Sequence, residues 1–154
     1  MNKTADFLNH FIKAAAYCAI ALFAITAIAD SQSPVGQWKT IDDKTGKEKS
    51  IIEIMSIDGI LTGKIIKLLN PSKPNPVCEK CKGEKKDKPI EGMTILEGVS
   101  QKGKSWKGGT ILDPKNGKTY KVTMKLVEEG AKLKVRGYIG IPTLGRTQTW
   151  IRVQ

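Results

Sequence analysis

Hydrophobic and polar residues alternate along much of the sequence beyond residue 34. The alternation is clearest between residues 119 and 126, where Thr and Lys alternate with Tyr120, Val122, Met124 and Leu126. A strand with this period of two buries one face and exposes the other. Similar stretches predict strands near residues 35–42, 49–57, 60–69, 94–101, 105–112, 118–127, 131–140 and 146–153.

Turn-forming residues separate the predicted strands at short intervals. Asp58-Gly59 and Lys102-Gly103 are typical of tight hairpins, and residues 114–117 read PKNG. Eight strands joined in this way favour an all-β fold, an eight-stranded antiparallel up-and-down barrel, because closure removes the exposed sheet edges. Such a barrel has an interior large enough for side chains or for one small ligand.

The N-terminal segment has the pattern of a secretory signal peptide. Lys3 and Lys13 give a weakly basic start, and residues 14–29 are uncharged and end in small residues. Sixteen such residues fall short of the roughly 20 that a membrane-spanning helix needs. We predict general secretion, cleavage after Ala29 and a periplasmic or secreted protein with no stable membrane insertion. Residues 30–154 would form a single barrel domain.

Cleavage at this point changes the chemistry that the chain can offer. His10 and Cys18 would be lost, and the 125 remaining residues would carry 24 basic and 14 acidic side chains. Without histidine, a Ser-His-Asp or Cys-His mechanism is impossible. The acidic residues show no spacing typical of an acid–base pair. We predict a protein that is not an enzyme and that holds no metal and no cofactor.

The two remaining cysteines lie in the segment NPVCEKCKGEKK, residues 75–86, within the long connection 70–93. A zinc site would need four ligands, whereas Cys78 and Cys81 supply two. A redox-active pair would start a helix, which the surrounding prolines and charges oppose. In an oxidising compartment a single pair most simply forms a structural disulfide. We favour this interpretation over the other two, with the disulfide holding a local bend.

Several segments resemble known families. Gly36-Gln37-Trp38 is similar to the Gly-x-Trp signature of lipocalins and their calycin relatives. Four segments in order resemble an uncharacterised bacterial family of small exported proteins, domain of unknown function 2147: SPVGQWKTIDDKTGKEKSIIEI, NPVCEKCKGEKKDKPIEGM, GGTILDPKNGKTYKV and LKVRGYIGIPTLGRTQTWIRV. The resemblance implies a lipocalin-like barrel outside the cytoplasm. It also implies that Trp38 closes one barrel end, with a late basic residue, Arg146 or Arg152, over the indole. It implies no activity.

Aromatic and arginine side chains provide the first candidate site. They would line a pocket inside the barrel for a small apolar or anionic ligand, with arginine as its polar anchor. The alternative is that the aromatics only fill the core. Arg136 and Tyr138 fall on the strand face opposite Leu133 and Val135, so both sets cannot line one interior. The candidate residues are Trp38, Trp106, Tyr120, Arg136, Tyr138, Arg146 and Trp150.

A basic surface provides the second candidate site. The sequence has a formal net charge of +11, and Lys80, Lys82, Lys85 and Lys86 lie close together in the long connection. Such a surface attracts anionic partners over long range. Nucleic acid is not expected, because no aromatic residues are interleaved with these lysines and an exported chain rarely meets it. The second hypothesis is therefore a solid barrel that docks on anionic lipid, polysaccharide or a protein partner.

Overall fold

The computed structural model describes residues 32–43 and 45–153, and the predicted signal peptide lies outside them. Eight antiparallel strands form a closed barrel in chain order, which confirms the predicted fold. The strands are β1 Gly36–Ile41, β2 Glu48–Ile57, β3 Ile60–Leu68, β4 Thr94–Lys102, β5 Ser105–Asp113, β6 Lys118–Val127, β7 Lys132–Tyr138 and β8 Arg146–Arg152. Among these residues, no helix is long and apolar enough to cross a membrane.

Antiparallel pairing of the first and last strands closes the barrel. Trp38 and Lys39 of β1 lie opposite Arg152 and Ile151 of β8. The tight hairpin at Asp58 and Gly59 joins β2 to β3, and both residues have positive φ, of 51° and 77°. A left-handed backbone at both central positions is typical of the hairpin turns that match strand twist.

The connections alternate between the two ends of the barrel, because successive strands run in opposite directions. The Trp38 end carries the start of β1 together with the β2–β3, β4–β5 and β6–β7 connections. The loop end carries the other four connections, which are residues 42–47, 69–93, 114–117 and 139–145. The long connection with the cysteines therefore belongs to the loop end.

Buried side chains occupy the barrel interior. Leu133, Val135, Val122 and Met124 come from β6 and β7, as their alternation predicts. The packing is close, because a Cβ added at Gly63 would lie 2.9 Å from Cβ of Leu96. Other fully or almost fully buried members of this core are Trp38, Ile52, Ile54, Leu61, Ile65, Leu96, Val99, Trp106 and Trp150. Most of the buried side chains are apolar, and the polar Thr40 and Ser50 are buried with a hydrogen bond to each other.

Trp38 closes its end of the barrel beneath Arg152. The indole is fully buried, and its Nε1 donates a hydrogen bond of 2.8 Å to the Pro34 carbonyl oxygen. The guanidinium carbon of Arg152 lies 4.3 Å from the centre of the ring, a favourable cation–π arrangement. Arg152 also donates hydrogen bonds to the carbonyl oxygens of Ser33, Val35 and Gly130. The late basic residue over the indole is therefore Arg152, and Arg146 lies elsewhere.

Candidate functional site

The aromatic and arginine residues of the first candidate site do not converge on one pocket. Trp38, Trp106 and Trp150 are buried in the core. Tyr120 shares the inward face of β6 and is partly buried, and its hydroxyl oxygen accepts a hydrogen bond of 3.0 Å from Asn116. These four side chains fill or border the interior.

Arg136 points outward, where it binds the β7–β8 connection. Its Nε donates to the Pro142 carbonyl oxygen at 2.7 Å, and its terminal nitrogens donate to the Thr143 carbonyl oxygen at 3.2 Å and to Oγ1 of Thr147 at 2.8 Å. Tyr138 shares this outward face, because it lies two residues further along β7. Strand alternation therefore keeps both side chains out of the barrel interior.

Arg146, the first residue of β8, pairs with the β1–β2 turn at the loop end. Its Nε donates to Oδ2 of Asp43 at 2.6 Å, and this hydrogen bond raises the pKa of Arg146 above its ordinary value. The side chain is more than half exposed. The pair links the β1–β2 turn to the start of β8, although an exposed ion pair of this kind contributes little to stability.

The long connection folds back over the loop end as a hairpin. Val77 and Pro89 pair across it, and the Cys78 N–H donates to the Lys88 carbonyl oxygen at 2.8 Å. A disulfide joins Cys78 to Cys81 and confirms the predicted pairing. Both cysteines are buried members of the core. The disulfide therefore holds the bend and also packs the loop onto the barrel.

The β5–β6 turn receives this disulfide-bonded bend. Sγ of Cys78 lies 3.4 Å from the Pro114 carbonyl oxygen. Gly117 in the same turn has φ of +70°, and a Cβ there would lie 1.8 Å from the Lys80 carbonyl oxygen. Because such an approach is possible only without a side chain, glycine at this position lets the bend and the turn come together.

A groove opens between the bend and the turn, and we call it the basic groove. Its volume is about 480 Å³, and it is open to solvent. Its charged wall consists of Lys80, Lys82, Lys85 and Lys118. The rest of its lining is uncharged and comprises Cys81, Leu112, Asn116, Gly117, Thr119 and Ile139. The groove therefore combines a cationic rim with a partly apolar surface outside the barrel.

Most of the positive charge around the groove is not neutralised by neighbouring carboxylates. Lys85 pairs with Glu97 at 2.5 Å. Within the described ranges, Lys80, Lys82 and Lys118 have no carboxylate within 4.0 Å. Three of the groove's four ammonium groups are thus available to an anion.

Lys86 and Glu79 lie near the basic groove in the long connection. Lys86, which the sequence grouped with the groove lysines, does not line the groove, and its Nζ donates to the Glu79 carbonyl oxygen at 3.2 Å. The Lys73 ammonium lowers the pKa of Glu79 by a hydrogen bond and by its charge, and Lys80 and Lys86 lower it further. The main cause is the hydrogen bond with Lys73, which lies outside the groove.

A second open groove of about 710 Å³ lies between β3 and the long connection. Its lining includes Pro71, Pro76, Pro89 and the oppositely charged Lys64 and Glu91. Because its charges balance and its walls are largely proline and aliphatic, it has no strong preference for a charged ligand. The basic groove has four lysines and no carboxylate in its lining, so it is the stronger candidate for binding a charged ligand.

The sequence prediction found part of the basic groove. It identified Lys80, Lys82 and Lys85 but missed Lys118 and the uncharged lining. The signal for Lys118 was its position directly after the PKNG turn. Nothing local to that turn shows that the disulfide-bonded bend, 36 residues earlier, packs against it.

The closed eight-stranded barrel, with Arg152 over Trp38, defines a lipocalin-like protein. Residues 36–152 match a family described as "Uncharacterized protein conserved in bacteria (DUF2147)", and the chain belongs to this family.

Comparison of structures gives the same fold. The barrel is similar to protein HP1028 from the human pathogen Helicobacter pylori, which is described as belonging to the lipocalin family. The TM-score is 0.68 at 22% sequence identity, and the similarity covers 79% of this chain and 84% of the other. At that identity the similarity establishes the fold alone. No curated protein matches the sequence.

Proposed function

We propose that this chain is an exported lipocalin-like binding protein that recognises an anionic partner through the basic groove, outside its barrel. The observation that carries this proposal is the convergence of Lys80, Lys82, Lys85 and Lys118 on one open groove. Function has to be argued from the site rather than from the fold, and the lysines of this groove are suited to binding an anion.

The packing of side chains inside the barrel supports a binding site outside it. Trp38, Trp106 and Trp150 are buried members of one core cluster with aliphatic side chains. Arg136, which was expected to anchor an interior ligand, points outward and uses its guanidinium on loop carbonyls. Close packing around Gly63 and the outward position of Arg136 therefore support a binding site outside the barrel.

The type of cation indicates the type of partner. Lysine ammonium groups are flexible, strongly hydrated point charges, whereas arginine provides a rigid fork for bidentate recognition. Four lysines around an open groove suit phosphate or carboxylate groups held at several positions rather than one ligand held in a fixed geometry. The uncharged lining of Leu112 and Ile139 suits an anion attached to an apolar group.

We expect the triple change of Lys80, Lys82 and Lys85 to Gln to weaken binding of dihexanoyl phosphatidylglycerol about tenfold, because each exposed charge contributes roughly 0.2–1 kcal/mol. Titration calorimetry with residues 30–154 and monomeric lipid measures this affinity. Binding to the wild-type protein should also weaken as salt rises, since exposed charges are screened.

The matched control removes the same charge from the Trp38 end. Lys102, Lys104 and Lys107 are exposed and lie in or beside the β4–β5 hairpin, so changing them to Gln alters net charge equally. Unchanged lipid affinity in this control would support binding in the basic groove. Equal losses in both triple variants would mean that only net charge matters, and the proposed groove would then be rejected.

A further inference from the structure

The β7–β8 connection exposes three large aliphatic side chains at the loop end. Ile139 is 60% exposed, Ile141 is 58% exposed and Leu144 is 79% exposed. We call these three residues the apolar tip. Isolated apolar residues are common on protein surfaces, but three within six positions of one loop form a patch that favours contact with an apolar phase.

The apolar tip is held in a defined shape. Arg136 donates three hydrogen bonds to this connection and to the start of β8. Within the loop, the Leu144 N–H donates to the Ile141 carbonyl oxygen at 3.2 Å, and the Gly145 N–H donates to the Pro142 carbonyl oxygen at 3.0 Å. A loop with this many internal bonds presents its aliphatic groups without a large further loss of conformational entropy on binding.

The apolar tip adjoins the basic groove. Ile139 belongs to both, because it lines the groove together with Lys80, Lys82, Lys85 and Lys118. One continuous surface at the loop end therefore carries aliphatic groups beside unneutralised ammonium groups. Negatively charged headgroups above acyl chains offer the complementary arrangement.

We propose that this surface docks the protein on an anionic lipid bilayer, with the apolar tip among the acyl chains and the groove lysines on the headgroups. This inference rests on the proposed function and specifies its partner. A soluble anion would satisfy the lysines but would leave Ile141 and Leu144 in water. An uncharged apolar partner would cover the tip but would leave the lysines unpaired.

The test is sedimentation of residues 30–154 with large vesicles of phosphatidylcholine containing phosphatidylglycerol. We expect Ile141→Ser with Leu144→Ser to lower the partition coefficient about tenfold or more, because the aliphatic groups are no longer buried in lipid. Ile57 and Ile60 provide the control at the Trp38 end, where they are 67% and 43% exposed. Changing both to Ser should leave partitioning unchanged.

The lysine triple variant separates this inference from the proposed function. It should also lower partitioning about tenfold or more, as expected when several lysines lose contact with an anionic surface. High salt should lower the partitioning of the wild-type protein and of the serine variant alike. The difference in partitioning between these two proteins, which is due to the apolar tip, should persist.

Each other outcome has a definite meaning. If the tip variant partitions as the wild type does while the lysine variant is impaired, membrane docking through the tip is wrong and the proposed function stands. If the lysine variant is unimpaired in both vesicle and calorimetric assays, the proposed function itself fails. If the tip variant changes only the sedimentation of the protein without vesicles, the tip mediates self-association and the bilayer proposal is overturned.

Discussion

Trp38→Ala is expected to lower the free energy of unfolding by about 3 to 5 kcal/mol, the range typical of removing a large buried aromatic side chain. The indole is fully buried, and its Nε1 hydrogen bond to Pro34 would be lost. Arg152 would lose the ring beneath its guanidinium. Since a domain has about 5 to 15 kcal/mol in total, this change should be visible in urea and thermal unfolding.

Two further variants make the result specific. Trp38→Phe retains an aromatic ring but loses the hydrogen bond to Pro34, so its unfolding free energy should lie between those of the wild type and the alanine variant. Leu144→Ala removes an exposed side chain and should change stability by less than about 0.5 kcal/mol. An almost unchanged melting temperature for Trp38→Ala would show that the indole does not close the barrel.

Gly117→Ala is expected to separate the disulfide-bonded bend from the β5–β6 turn. The new Cβ would lie 1.8 Å from the Lys80 carbonyl oxygen, and the backbone there has φ of +70°. The left-handed backbone and the forced displacement together cost about 2 to 5 kcal/mol. Because the bend is only a loop, it should move before the barrel does, and phosphatidylglycerol binding should weaken with the distorted groove.

Gly103→Ala is the matched control for this change. Gly103 has a similar φ of +62°, but a Cβ there would have no heavy atom within 4 Å beyond its chain neighbours. It therefore incurs the backbone cost alone, about 1 to 2 kcal/mol, and should not alter lipid binding. If Gly117→Ala and Gly103→Ala have equal effects on stability and binding, the close packing of the bend against the turn is not important.

The strands could be predicted because their signals are local. The alternation around Val122 and Met124 and the hairpin at Asp58 and Gly59 each specify structure within a few residues. Closure of the barrel followed from counting hairpins and from avoiding exposed edges. The disulfide followed from the small number of candidate partners for Cys78 and Cys81, and the structure contains it.

The site could be predicted only in part because it depends on contacts between distant segments. The lysines of the long connection were visible as a charge cluster, but the groove requires Lys118 and Ile139 from other connections. Arg136 shows the opposite limitation. The few arginines in the last strands suggested an anion site. Arg136 instead lies on the outward face of β7, where it binds loop carbonyl oxygens.

The most direct test of binding outside the barrel is to map the contact by nuclear magnetic resonance. A ¹⁵N-labelled chain of residues 30–154 would be titrated with dihexanoyl phosphatidylglycerol, with the backbone amides and tryptophan indoles observed together. We predict the largest shift changes at residues 80–85 and 116–119, with the Trp38 and Trp150 indole signals unchanged. Changes concentrated at Val122, Leu133 and the Trp150 indole, with the groove amides unaffected, would place the ligand inside the barrel and contradict this account.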